Sequence, residues 1–154
     1  MPEEIRLYED KDLESVSRIS KEVIPKSHPF LSHEYAERDI NNTIEQVKKC
    51  KKEGSIHTWV ICEDNKVVGF TTIEVLSSKT LIISLYVSAD YQRKGYGTKL
   101  LDKVFSGYKP AYLLVVYKEN KEACKFYKNR GFRVDTSVKD RMTDDREYLE
   151  MKRN

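Results

Sequence analysis

The sequence is poor in cysteine and in long apolar runs, and each shortage excludes a class of protein. The three cysteines, Cys50, Cys62 and Cys124, are odd in number, far apart and without a CxxC pair. They indicate reduced thiols rather than a disulfide framework or a zinc site, so no metal is expected. No apolar run approaches the roughly 20 residues of a membrane span. The opening MPEEIRLYED is acidic and lacks the apolar centre of a signal peptide, so we expect a cytoplasmic protein with no membrane partner.

The sequence also lacks a surplus of one charge sign. Its 28 lysines and arginines are nearly balanced by 25 aspartates and glutamates, for a net charge of +3. General nucleic-acid binders usually show a clear basic surplus or stripe, so no nucleic-acid partner is expected. With 34% charged and 39% apolar residues among 154, the composition is that of a globular protein. The length suits one domain, which we expect over residues 1–154.

Hydrophobic periodicity predicts a mixed α/β fold with the element order β-α-α-β-β-β-α-β-α-β-β. The spacing of apolar residues predicts a first helix from Asp10, as N-cap, to Pro25, and a second helix that ends at Gly54. A third helix follows the glycine-containing stretch after residue 90, and a short fourth helix has Asn120 as N-cap and Gly131 at its end. The run TLIISLYV is apolar almost throughout, as in a central strand covered on both faces. The order predicts a mixed sheet with helices on both faces.

The stretch YQRKGYGTK (91–99) follows the central strand and places two glycines beside two cations. Glycine suits a tight bend or a close approach of backbone to another molecule, and free N–H groups at the start of a helix bind anions. A dinucleotide fingerprint would need a third glycine where Leu100 stands, and a Walker loop would need four residues between its glycines. The stretch therefore predicts either an anion site, most naturally for a pyrophosphate, or a solvated turn before a helix.

Two longer segments resemble motifs of a known family. LYVSADYQRKGYGTKLL (85–101) closely resembles motif A of the GNAT superfamily of N-acyltransferases, (Gln/Arg)-x-x-Gly-x-(Gly/Ala), through Gln92, Gly95 and Gly97. VYKENKEACKFYKNRGF (116–132) is similar to motif B, and SHPFLSHEY (27–35) resembles a His-Pro-Phe connection in a small bacterial subgroup. The resemblance implies an α/β (α+β) fold with a mixed, mostly antiparallel sheet of six to seven strands, whose central parallel strands splay apart.

The resemblance also implies acetyl-coenzyme A as cosubstrate. The glycine turn would bind its pyrophosphate through backbone N–H groups, and its pantetheine amides would pair with Leu85 and Val87 as an added strand. A β-bulge near Leu85 and Tyr86 would direct one N–H at the thioester oxygen. The implied cofactor-binding residues are Leu85, Tyr86, Val87, Gln92, Arg93, Lys94, Gly95, Tyr96, Gly97, Thr98, Asn120, Ala123 and Tyr127.

Acetyl transfer to an amine needs a proton donor for the departing thiolate and a base for the amine. The resemblance implies Tyr127 as the donor, since a phenol of pKa about 10 can reprotonate a thiolate whose acid has a pKa of about 8.5. A core aromatic is the plainer interpretation of Tyr127, and both can hold. The base is left open: Glu74 on the preceding strand is the nearest carboxylate, with His28 or water as alternatives. Cys124 lacks a histidine partner and is expected to pack.

For the acceptor, the resemblance implies a groove between the first two helices and the connection after the sixth strand. The substrate-binding candidates in this groove are His28, Phe30 and Leu31. Asp140, Asp144 and Asp145 would attract a cationic amine. We predict an N-acetyltransferase, a monomer or homodimer, that moves an acetyl group from acetyl-coenzyme A to a primary amine of a small molecule, a protein lysine or an N-terminus. An acyl-coenzyme A binding regulatory module without turnover is the alternative.

Overall fold

The computed structural model describes residues 3–135, 141–143 and 146–154, and within them the chain forms one mixed sheet and four helices. The strands are β1 (Glu3–Leu7), β2 (Ile56–Glu63), β3 (Lys66–Val75), β4 (Thr80–Val87), β5 (Tyr112–Tyr117), β6 (Arg133–Val134), β7 (Arg141–Thr143) and β8 (Arg146–Arg153). The helices are α1 (Leu13–Ser27), α2 (His33–Lys49), α3 (Tyr96–Gly107) and α4 (Lys121–Asn129). None of these helices is long and apolar enough to cross a membrane.

The sheet has the strand order β1-β2-β3-β4-β5-β8-β6, and β7 also pairs with β8. β5 occupies one edge of β8, so the short β6 and β7 both pair along the other edge and share one position. The described strands therefore fill seven positions in the sheet. Every neighbouring pair is antiparallel except β4 and β5. The predicted mixed, mostly antiparallel sheet of six to seven strands is confirmed.

Helices cover both faces of the sheet and bury its apolar residues. The cluster under α1 and α2 includes Val16, Ile19, Val47 and Phe70. The cluster under α3 and α4 includes Leu101, Val104, Leu114, Cys124 and Met151. Each fully buried aliphatic or aromatic side chain stabilises the fold by about 1.5–3 kcal/mol, so these two clusters fix the helices that border the space between β4 and β5.

Three predicted helix boundaries were wrong. α1 passes through Pro25 and stays helical to Ser27, and the His28 N–H donates to the Ile24 carbonyl at 3.0 Å. A proline removes its own N–H but keeps a helical φ, and the buried Ile24 holds this last turn against the core. At its start, Asp10–Asp12 forms a 3₁₀ turn, in which the Asp12 N–H donates to the Glu9 carbonyl at 2.8 Å, and α1 begins at Leu13. α2 ends at Lys49 rather than at Gly54.

Arg6 of β1 and Asp12 form a bidentate ion pair that fastens the edge strand to the start of α1. Arg6 Nη1 and Nη2 donate to the two carboxylate oxygens at 2.7 and 2.9 Å, and the Glu9 N–H donates to Asp12 Oδ2 at 2.8 Å. The Asp12 side chain is 4% exposed. Burial alone would raise the pKa of this carboxyl, but the hydrogen bonds from Arg6 and Glu9 outweigh it and hold the pKa below its usual value.

We expect Asp12→Ala to lower the free energy of unfolding by about 2 kcal/mol at pH 7, because it removes charge-assisted hydrogen bonds from a largely buried site. The folded pKa of Asp12 lies below its unfolded pKa, so its contribution is complete above the unfolded value and is lost as the pH falls through the folded value. Urea unfolding at pH 7 and in acid should therefore show the difference between wild type and variant shrink on acidification. The exposed Asp10, altered to alanine, is the control. A difference independent of pH would contradict this account.

Candidate active site

The central parallel strands separate and open a cleft of about 970 Å³. Within the described strands, β4 and β5 pair at Thr80–Tyr112 and Leu81–Leu113 and then diverge. The predicted splay is therefore confirmed, and it exposes the facing edges of both strands to the cleft. A volume near this size is typical of pockets that bury a whole ligand.

A β-bulge lies on β4, but upstream of the place predicted for it. It was expected near Leu85 and Tyr86. The pairing of β3 with β4 instead skips Ile83, since Ser84 lies opposite Thr72 and the next pair begins at residue 82. An extra residue in one strand shifts the alternation of side chains by one position, and no sequence signal fixed where that shift would occur.

The bulge decides which side of the sheet each β4 residue faces. Leu85 and Val87 pack against a third cluster beneath α3, formed by Ile61, Val68, Tyr96 and Leu100. Tyr86 instead packs with the cluster beneath α1 and α2. Ser84 lies two residues before Tyr86 and shares its face, because side chains alternate along a strand. The cleft is lined from both faces, so it has an α3 side and an α2 side.

On the α3 side, the turn after β4 has the backbone of an anion-binding nest. Arg93 and Gly95 adopt left-handed φ angles of 64° and 85°, and Gly95 is the N-cap of α3. The Lys99 N–H donates to the Gly95 carbonyl at 3.0 Å, whereas the N–H groups before it have no acceptor inside the helix. Successive N–H groups in such a turn form a concavity for anions. The geometry favours the anion site over the solvated turn.

Arg130 adds a cation at this turn that sequence reasoning missed. Its Nη2 and Nε donate to Thr98 Oγ1 at 2.7 and 3.2 Å, and its guanidinium lies 5.6 Å from the Phe126 ring centroid. Arg93 also lines the cleft, whereas Lys94 is not among its lining residues. Arg130 directly follows α4 and lies 32 residues from Thr98 in the sequence. No local pattern could therefore predict that its side chain contacts α3.

Glu22 of α1 holds the start of the turn and was also missed. Its Oε1 accepts hydrogen bonds from Ser88 Oγ and from the Ala89 N–H, both at 3.0 Å. The bond from Ala89 lowers the pKa of Glu22, although burial opposes it, so the carboxylate is charged at neutral pH. Farther along, Gln92 Nε2 donates to the Val87 carbonyl at 2.9 Å. These bonds fix the backbone path that presents the anion-binding N–H groups.

Asn120 links α4 to the end of α1. Its Oδ1 accepts a hydrogen bond from the Ala123 N–H at 3.2 Å, which confirms the predicted N-cap. Its Nδ2 lies 3.4 Å from His28 Nε2, and His28 Nδ1 lies 3.1 Å from the Ile24 carbonyl. Burial lowers the pKa of His28 despite the nearby Asp39. A neutral ring that donates through Nδ1 and accepts through Nε2 satisfies all these contacts, so His28 is occupied by structural bonds.

Tyr127 lies on α4, where its partly buried ring packs against the core and the residue also lines the cleft. The ring packs edge to face against Phe126 and Phe132, at centroid distances of 5.2 and 5.5 Å. Burial raises its pKa, so the phenol stays protonated at neutral pH. Tyr86, whose pKa is raised first by burial and then by Tyr127, lines the same cleft. The packing and proton-donor interpretations of Tyr127 are both compatible with this position.

A model of the Acetyltransferase (GNAT) family matches residues 14–132. The chain belongs to the GNAT family of acetyltransferases. This match confirms the predicted family and enzyme class, with acetyl-coenzyme A as the family's acetyl donor.

Related proteins agree with this family in sequence and in fold. Peptidyl-lysine N-acetyltransferase YiaC of Escherichia coli (strain K12) is 26% identical over 130 residues, which cover 84% of this chain and 83% of YiaC. The structure of PaiA N-acetyltransferase from Thermoplasma acidophilum, in complex with coenzyme A, superposes with a TM-score of 0.80 at 22% identity, over 97% of this chain and 98% of that one. Ard1 from Thermoplasma volcanium gives a TM-score of 0.75 at 23% identity, over 99% and 97%. At these identities the superpositions establish a shared fold.

Several predicted site residues of this GNAT enzyme lie away from the cleft. Glu74 of β3 lies opposite Leu81, at the end of the sheet where β4 and β5 are still paired, and is not among the cleft residues. Phe30 and Leu31 do not line the cleft either, although the Phe30 ring packs 5.3 Å from Tyr117. The predicted acidic groups Asp140, Asp144 and Asp145 lie outside the described residues. The geometry therefore gives no support to Glu74 as the base.

A polar cluster on the α2 side of the cleft was not predicted. The Tyr117 hydroxyl donates to Asp39 Oδ2 at 2.9 Å, and the Tyr148 hydroxyl donates to the Tyr117 oxygen at 3.1 Å. The Tyr117 ring packs 5.1 Å from His28 and 4.6 Å from Tyr148. Burial raises the pKa of Asp39, while Tyr117 and His28 oppose the rise. Three distant segments build this cluster, so no local motif could reveal it.

Cys124 of α4 packs in the core, as the sequence predicts. It is buried, its Sγ lies 3.8 Å from the Tyr117 carbonyl, and burial raises the pKa of its thiol. A protonated thiol without a histidine partner is a poor nucleophile. Among the residues that the structure describes, no group of three or more His, Cys, Asp or Glu side chains could hold a metal ion.

Proposed function

We propose that this GNAT enzyme transfers the acetyl group of acetyl-coenzyme A directly to a primary amine, through a tetrahedral intermediate and without a metal. The observation that carries the proposal is a single cleft that joins an anion-binding turn on the α3 side to the polar cluster on the α2 side. Direct transfer requires both substrates in one space with their reacting atoms in contact, and the gap between β4 and β5 provides a path between the two sides.

The residues on the α3 side fit coenzyme A by charge and by backbone shape. The left-handed turn at Arg93 and Gly95 and the first N–H groups of α3 would bind the pyrophosphate. Arg93 and Arg130 would add charge for phosphates. The unpaired edge of β4 beyond Leu81 would pair with the pantetheine amides. Bound there, the cosubstrate supplies an acetyl group activated as a thioester.

Tyr127 is the proposed acid that protonates the departing thiolate. Its raised pKa keeps the proton on the phenol before the reaction. A higher pKa weakens the phenol as an acid, but the same burial disfavours the thiolate and strengthens it as a base. A backbone N–H beside the bulge at Ile83 is the proposed donor to the developing oxyanion.

Two observations support the proposed acceptor class: the polar residues on the α2 side of the cleft and the activity named for one relative. YiaC is a peptidyl-lysine N-acetyltransferase, which favours a lysine side chain as the first acceptor to test. A small-molecule amine and a protein N-terminus remain the other candidates. Action in the cytoplasm, a single domain and a monomeric or homodimeric state stay predictions.

A coenzyme-release assay tests the proposed function. The enzyme is mixed with acetyl-coenzyme A and a panel of lysine peptides, polyamines, amino acids and small amines, free thiol is measured, and products are identified by mass spectrometry. We expect amine-dependent thiol release together with one acetyl group on the amine. Binding of acetyl-coenzyme A without release in the presence of any amine would support the alternative, a binding module without turnover. Absence of binding would contradict the cofactor site.

A further inference from the structure

The two sides of the cleft differ in charge. The lining on the α3 side includes Arg93, Lys125 and Arg130 together with one acid, Glu122. The lining on the α2 side comes from α1, α2, β4, β5 and β8. Among its described residues Asp39 is the one carboxylate, and no lysine or arginine is present. A cation is therefore attracted to the α2 side, and an anion to the α3 side.

Asp39 has one oxygen engaged and one available. Oδ2 accepts the hydrogen bond from the Tyr117 hydroxyl. Within the described part of the chain, no group is hydrogen-bonded to Oδ1. The titratable groups that lower the pKa of Asp39 are Tyr117 and His28, and burial holds His28 neutral. A half-buried carboxylate without a cationic partner is a favourable site for a ligand cation, because the protein provides no internal countercharge.

Ser84 provides an independent sign of a missing ligand. Ser84 is among the residues that line the cleft, and it is 7% exposed. Among the described residues, its Oγ is the buried side-chain polar atom that lacks a hydrogen-bond partner. Buried polar groups are almost always paired, and each exception needs an explanation. Ser84 shares a face of β4 with Tyr86, and burial, Tyr127 and the charge of Asp39 raise the pKa of Tyr86. An acceptor bound near Asp39 on the α2 side would therefore meet Ser84.

The strand opposite Ser84 offers an apolar surface to the same ligand. Val115 of β5 is 45% exposed, an unusual value for a valine in a central strand, and it lines the cleft. Tyr117 lies two residues farther on and shares its face of β5. An aliphatic chain beside Val115 would lose contact with water while its charged end reaches Asp39, as lysine side chains commonly arrange themselves.

We propose that Asp39 and Ser84 form the acceptor subsite, which takes a primary ammonium at the end of an unbranched aliphatic chain packed on Val115. This inference rests on the proposed function and adds the acceptor's chemical class and the base. Asp39 binds the ammonium and takes one proton from it, and Ser84 Oγ orients the resulting amine. Tyr117 positions Asp39 by its hydrogen bond.

The proton balance of the transfer follows from these positions. The ammonium gives one proton to Asp39, and the neutral nitrogen then forms a bond to the thioester carbon. The carbon–sulfur bond breaks with its electron pair on sulfur, and Tyr127 gives its proton to that sulfur. The acylated nitrogen loses its second proton, which restores the Tyr127 hydroxyl through water, and Asp39 releases its proton to solvent. One ammonium and one thioester thus yield one amide, one thiol and one proton.

A binding experiment with matched probes tests the subsite without relying on turnover. The probes are Nα-acetyl-lysine methylamide and Nα-acetyl-norleucine methylamide, which differ at the ammonium, and binding is measured by calorimetry in the presence of coenzyme A. The wild type should prefer the lysine probe. Asp39→Asn should weaken its binding by about 10- to 100-fold and Ser84→Ala by about 2- to 10-fold, with coenzyme A affinity unchanged. Glu45→Gln removes an exposed carboxylate from the same helix and should change nothing.

The outcomes separate this inference from the proposed function. Equal affinity of the wild type for the two probes, or no affinity for either, overturns the subsite. So does an Asp39→Asn protein that retains wild-type affinity for the lysine probe. Selective binding that depends on Asp39, without acetyl transfer to any amine, supports the subsite and contradicts the proposed function. Where transfer occurs, a fall in kcat for Asp39→Asn supports proton acceptance, and a rise in KM alone overturns that part.

Discussion

Replacing Tyr127 with phenylalanine is expected to lower turnover by about 10²- to 10⁴-fold, the usual contribution of a general acid. The change deletes one hydroxyl and keeps the ring, so the contacts with Phe126 and Phe132 persist. Affinity for coenzyme A should therefore stay within a few-fold of wild type. Loss of rate with retained binding is the result that a proton donor predicts, because the missing interaction develops only as the thiolate departs.

The measurement pairs single-turnover thiol release with calorimetric binding of coenzyme A. Single-turnover rates are needed because product release can hide a slower chemical step. Tyr108→Phe is the matched control: its hydroxyl accepts a hydrogen bond from Trp59 Nε1 at 2.8 Å, outside the cleft. An unchanged single-turnover rate in Tyr127→Phe would reduce Tyr127 to a packing residue, and a loss of coenzyme A affinity would make it a binding residue instead.

The parts of the site that could be predicted from sequence are local in the chain. The turn at Gly95, the start of α3 and the capping of α4 by Asn120 each depend on a few consecutive residues. Backbone conformation at a turn and the first bonds of a helix follow from side chains within one helical turn. Hydrophobic periods predicted the order of strands and helices for the same reason, except that the three-residue β7 was not predicted.

The parts that could not be predicted depend on register and on distant contacts. Glu74 lies on β3, the strand that precedes β4 in sequence. The antiparallel register places it opposite Leu81, where β4 and β5 are still paired and the cleft has not yet opened. Asp39 is hydrogen-bonded to Tyr117, which lies 78 residues away in the sequence. A single skipped residue at 83 turns Ser84 to the α2 side. A one-residue change of register moves a side chain to the other face, and no local pattern in this sequence specifies that shift.

A substitution in the glycine turn is expected to have the second large effect, a loss of coenzyme A binding. It tests the cofactor site independently of the acceptor. Gly97 is the second residue of α3, and a Cβ added there would lie 3.6 Å from Phe126 Cζ and 3.9 Å from Val87 Cγ2. Those distances are ordinary contacts, so alanine fits. Valine adds two further carbon atoms in the space between α3 and two residues that line the cleft. It would therefore narrow the α3 side of the cleft, where the phosphate is proposed to bind.

We expect Gly97→Val to weaken coenzyme A binding by about 10²-fold or more, since hydrogen bonds to a charged group are each worth about 1.5–3 kcal/mol and at least two would be lost. Gly97→Ala should give a smaller loss, and Gly54→Val, at a turn where a Cβ meets no atom within 4 Å, should give none. Binding is measured by calorimetry on variants whose far-ultraviolet circular dichroism and melting temperature match the wild type. Gly95→Val provides a separate comparison, because its left-handed φ of 85° strains any other residue without a steric contact. A folded Gly97→Val protein that binds coenzyme A as tightly as wild type would place the cofactor elsewhere and remove the physical basis of the proposed transfer.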